Sequence, residues 1–118
     1  VEQKREVNEG AAQKRAADRD RKRDEAERRN RLYRMLKPLR DRVEAYEKQI
    51  SQVEADLKVV EEELVSPTLY EDMERARQVS QRAKELRDRL DSLFDEWTEA
   101  ASELASREQS ESEAQPGQ

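Results

Sequence analysis

Ten apolar residues constrain this chain more than any other feature: Leu32, Leu36, Leu39, Val43, Tyr46, Ile50, Val53, Leu57, Val60 and Leu64. They fall alternately four and three residues apart without a slip. A sustained 3.5-residue period keeps one narrow stripe of a long helix facing one direction only if that helix supercoils against another. The seam therefore demands a partner helix.

The sequence supplies one after a turn. Ser66 and Pro67 form a helix-start signal, with Ser66 as N-cap, Pro67 at the first helical position and acids following in the first turn. The residue before a proline is pushed out of the helical region, so the first helix stops there. A second seam follows at Ala76, Val79, Ala83, Leu86, Leu90, Leu93, Trp97, Ala100 and Leu104. A short turn makes the two helices antiparallel. Pairing Leu64 with Leu69 sets a register in which Leu36 meets Trp97 and Arg29 meets Leu104. Tyr46, Phe94 and Trp97 read as core packing, since each lies on or beside a seam. Met73, off strict register, suggests a stutter beside the turn.

The expected fold is all-α: an antiparallel two-helix coiled-coil hairpin over 32–105, with its tip at 65–70. A basic helical arm, 11–37, extends it at the N-terminal side and is kinked or restarted near Pro38, which removes a backbone hydrogen bond and clashes with the Arg34 carbonyl. Residues 1–10 and the Ser/Glu/Gln-rich acidic tail 106–118 read as disordered. The chain opens on Val1, which fits a segment of a longer protein.

Composition closes off most chemistry. With 45% charged residues, two Gly and no Cys or His, the chain lacks thiolate chemistry, the commonest metal ligand and the commonest general base. No Gly-rich phosphate loop or metal-ligand spacing occurs, and carboxylate pairs such as Glu61 and Glu62 have no cleft to tune them. The expectation is a non-enzymatic module with no catalytic or metal site and no cofactor of its own. No window approaches the roughly 18 consecutive apolar residues of a membrane span, so the chain is read as cytoplasmic.

Charge is unevenly distributed. Residues 1–40 carry 14 Lys/Arg against 8 Asp/Glu, whereas 41–118 carry 10 against 21. The candidate site is the set of twelve bases Lys14, Arg15, Arg19, Arg21, Lys22, Arg23, Arg28, Arg29, Arg31, Arg34, Lys37 and Arg40. They read either as a nucleic-acid arm neutralising phosphates, with Arg favoured for its bidentate fork, or as a solvated, salt-bridged helix. Five interspersed acids and a spread of bases around the helix speak for the second reading, and Tyr33 alone is available for stacking on a base. Carried back into this segment, the seam positions become Arg29, Glu25, Lys22, Asp18 and Arg15, which cannot be buried cheaply. The coiled coil is expected to end near Leu32.

The tip string Leu64-Val65-Ser66-Pro67-Thr68-Leu69-Tyr70-Glu71-Asp72, with Phe94-Asp95-Glu96-Trp97 on the returning helix, resembles the C-terminal coiled-coil domain of ABC-F ATPases of the Uup type. Members carry a similar Leu-x-Asp-Pro-x-Leu-Tyr tip and an aromatic-x-x-Trp; here Ser66 stands for the usual Asp. The charged lead-in from Asn30 to Arg40 is similar as well. The resemblance covers roughly 28–105. It implies a parent with two upstream cassettes that hold ATP and magnesium, action on the ribosome, and a C-terminal domain that binds DNA or ribosomal RNA. Two other partners stay open: docking of the hairpin, as a spacer or interaction coiled coil, on a ribosomal protein or on its own cassettes, and self-association through the short Ala-rich half or the unmatched N-terminal helix. The isolated domain is expected to be a monomer with no membrane contact.

Overall fold

The computed structural model describes residues 2–113, with side chains from residue 8. Within them, α1 (Glu2–Leu64) is followed by a 3₁₀ turn (Pro67–Glu71) and by α2 (Met73–Glu113). Residues up to Lys37 and residues from Pro38 onward form two separate compact units.

In the first unit, α1 holds no buried side chain between residues 8 and 31, and Leu36 is the first buried one among the described residues. None of the charged positions Arg15, Asp18, Lys22, Glu25 and Arg29 is buried, and all but the half-buried Asp18 are exposed, so the cost of burying them is not incurred. Helical backbone reaches further than expected at both ends of the chain. Residues 2–10 and 106–113, expected to be disordered, are helical. Glu, Gln, Lys and Arg are good helix formers, and Gln109 bonds Glu113 at 3.2 Å one turn on. The expected disorder of Val1 and 114–118 lies outside the described residues.

Pro38 sits inside α1 without a restart of the helix. Both it and Arg34 are exposed, so water has access to the stretch in which the Arg34 carbonyl loses its amide donor. That tempers a substitution which in a helix interior costs about 3 kcal/mol.

The second unit is the antiparallel hairpin. Its buried apolar residues include Ile50, Leu69, Ala76, Val79, Ala83, Leu86, Leu93 and Ala100, all but Leu69 on the two seams. Phe94, read as core, is instead 44% exposed, because one residue past Leu93 the helix has turned its side chain out of the seam.

The turn is built differently from its expected form. Ser66 makes no side-chain capping bond, and its hydroxyl meets the Thr68 hydroxyl at 3.0 Å. Pro67 opens the 3₁₀ turn, stitched by Leu69 N–H to the Ser66 carbonyl and Asp72 N–H to the Leu69 carbonyl, both 3.2 Å. The cap of α2 is Asp72, whose Oδ1 accepts the Arg75 N–H at 3.1 Å. Tyr70 donates its hydroxyl to the Leu64 carbonyl at 2.9 Å, satisfying one of the orphan acceptors at the end of α1.

This longer connection moves the register. Leu69 packs with Ala76 and Val79, and Val60 and Leu64 lie against this cluster. Further along, Glu63 meets Arg75 at 2.8 Å and Glu61 meets Arg87 at 3.3 Å. Gln49 accepts from Arg89 at 3.2 Å, and Arg42 meets Glu103 at 3.4 Å. Interpolated between the last two contacts, Trp97 falls opposite residues about 45–46, so within the second unit the register runs later than a Leu64–Leu69 pairing gives. The residues from Val65 to Asp72 are spent on the turn and the cap, and α2 begins later than the Ser-Pro signal implied.

Candidate nucleic-acid interface

α1 positions the basic set because nothing in its composition interrupts it: over Lys14–Lys37 it is rich in Arg, Lys, Glu and Ala and free of Gly and Pro. Eleven of the twelve bases lie in the first unit, and Arg40 belongs to the second. All twelve are exposed. Arg21 pairs with Asp18 and Arg23 with Asp20, each at 3.2 Å and each within one helical turn. Arg40 meets Glu108 at 3.7 Å. These exposed pairs are worth about 0–1 kcal/mol and leave the guanidinium groups open to a competing anion.

One feature of the arm escaped the reading of its sequence as bases scattered around a helix. Arg15, Arg19, Lys22, Ala26, Arg29, Tyr33 and Lys37 follow one another at spacings of three and four, so on a continuous helix they form a single row. None of the acids Asp18, Asp20, Asp24, Glu25 and Glu27 falls on it, although Asp18 and Glu25 flank it at three- and four-residue spacing from Arg15, Lys22 and Arg29. Tyr33, 56% exposed, lies between Arg29 and Lys37 on that row. The signal was present as the same three-four spacing that marks the apolar seam, applied to basic residues. The remaining bases, among them Arg21, Arg23, Arg28, Arg31 and Arg34, sit on other faces.

Such a row can present five cations over about 33 Å of helix, at intervals of about 5–12 Å, with one aromatic ring among them. It is suited to binding an extended polyanion and offers no nucleophile or acid–base pair held in a cleft. Among the described residues no group of three or more His, Cys, Asp or Glu is placed to hold a metal ion. No helix among them is long and apolar enough to cross a membrane.

Against known proteins, residues 36–102 match the model of one family, the ABC transporter C-terminal domain. No curated protein and no solved structure matches the chain.

Proposed function

Because the chain belongs to the ABC transporter C-terminal domain family, we propose that it is the non-catalytic, nucleic-acid-binding domain of a soluble, cytoplasmic two-cassette ATPase of the ABC-F type. In this reading the ATP and magnesium chemistry belongs to the cassettes. The hairpin is a rigid element carried beside them, and the arm anchors the parent on DNA or on ribosomal RNA.

The observation that carries the proposal is the acid-free row Arg15, Arg19, Lys22, Arg29 and Lys37 with Tyr33 among them. A scattered salt-bridged surface would place acids and bases on every face. A row of one sign follows a phosphate backbone, releases condensed counterions as it binds, and lets an aromatic ring stack on an accessible base. Guanidinium groups suit the role because two N–H bonds can reach one phosphate.

Fluorescence anisotropy with labelled duplex DNA and with a structured RNA tests it. Each phosphate contact contributes about −0.9 to the slope of log affinity against log salt on duplex DNA, so five contacts give roughly −4 to −5. Reversing Arg15, Arg19, Lys22 and Arg29 to Glu abolishes binding, whereas reversing the off-row Arg21, Arg23, Arg28 and Arg31 weakens it less. Equal affinity of wild type and row variant overturns the reading.

A further inference from the structure

We propose that the tip of the hairpin is a docking surface for the basic arm of a second copy of this chain. The proposal is separate from nucleic-acid binding, although both use the arm.

The tip is apolar where a mere turn has no need to be. Val65 is 80% exposed, Met73 73% and Tyr70 55%, three large apolar side chains within nine residues. The hydroxyl of Tyr70 is committed to the Leu64 carbonyl, which anchors the ring at the apex and leaves its face in solvent. Small polar residues would close the chain as well. Exposed apolar side chains gathered at one place mark an interaction surface.

Charge selects the occupant. Residues 61–74 contain Glu61, Glu62, Glu63, Glu71, Asp72 and Glu74 and no Lys or Arg. Arg87, Arg75 and Arg77 meet Glu61, Glu63 and Glu74 from beyond that stretch. Glu62 and Glu71, both exposed, keep the rim negative. A phosphate backbone or an anionic lipid surface is repelled there. A cationic helix with an apolar residue among its charges is attracted, and the arm is such a helix: Arg29 and exposed Tyr33 follow one another at i,i+4 on its basic row. Like-signed arms do not pair with one another, nor do like-signed tips, so complementarity points to arm against tip. Contacts of this size are weak, and dilute chain remains monomeric.

Sedimentation equilibrium of the full chain over a range of concentrations tests the proposal. At low salt the wild type rises above its monomer mass of 13.9 kDa and returns to it at high salt. The double variant Val65→Ser, Met73→Ser stays monomeric at the same concentrations with unchanged helix content. A tip-reversed chain (Glu62→Lys, Glu71→Lys) and an arm-reversed chain (Lys22→Glu, Arg29→Glu) are each monomeric alone and associate when mixed. A wild type that stays monomeric throughout overturns the proposal, as does a tip variant that associates like wild type. The nucleic-acid reading is measured separately, on dilute chain. Tip variants retain wild-type DNA affinity there, so a monomeric wild type that binds DNA sinks the docking proposal alone. Association without DNA affinity sinks only the other.

Discussion

Asp72 and Ser66 compete for the same task at the start of the returning helix, and the bonds decide between them. Asp72 accepts the Arg75 amide, while Ser66 touches only Thr68 with its side chain. Asp72→Ala should therefore lower stability by about 0.5–2 kcal/mol, and Ser66→Ala should change it by a few tenths at most; thermal unfolding of the two variants reads the difference. At sequence level both residues carried a legitimate signal, since Ser-Pro marks a helix start and Asp does so as well. What separated them was the 3₁₀ turn, fixed by Leu69 burying itself against Ala76 and Val79, a tertiary contact that local rules do not see. Trp97 shows the same limit. Its place on the seam was legible, but its partner depended on the length of the turn, and its indole Nε1 is buried without an acceptor. Such an orphan costs about 1–3 kcal/mol, which the burial of the ring has to offset.

At the scale of the element, the two parts of α1 owe their helicity to different causes. From Pro38 to Leu64 the seam holds the helix in place, and its period alone was enough to reveal the fold. Residues 8–31 bury nothing, so they depend on propensity, on neighbouring charges and on helix length. Gly10 is the weakest link, and a Cβ added there meets nothing within 4 Å. Gly10→Ala should raise the helicity of the arm, by up to about 1 kcal/mol, seen as slower amide exchange around residue 10 with no change in the hairpin. The basic row was harder to read than the apolar seam. Burial punishes any slip in an apolar stripe, whereas an exposed row of bases tolerates acids beside it and stands out only once the helix is known to be continuous.

For the whole molecule, salt separates what holds the chain together from the DNA binding proposed for its arm. The cross-helix pairs Arg42–Glu103, Arg75–Glu63 and Arg87–Glu61 are exposed and contribute about 0–1 kcal/mol each. The seam residues beneath them are apolar and insensitive to screening. Raising salt by a factor of ten should leave the melting temperature of the hairpin within a few degrees, while affinity for DNA falls by several orders of magnitude. Calorimetry and anisotropy on the same samples check both halves. A melting temperature that falls together with affinity would mean that charge pairs, and not the seam, dominate the fold.

The connection between the helices also has a bearing on how the hairpin is aligned. Apolar residues recur every three or four positions on both helices, so sliding one past the other by a full heptad would again bring apolar side chains face to face. The repeat by itself is a ruler without a zero. Leu69 tucked beneath the apex, the Tyr70 hydroxyl clasping the last carbonyl of α1 and Asp72 fixing the first turn of α2 provide that zero. The rest of the hairpin is counted from there.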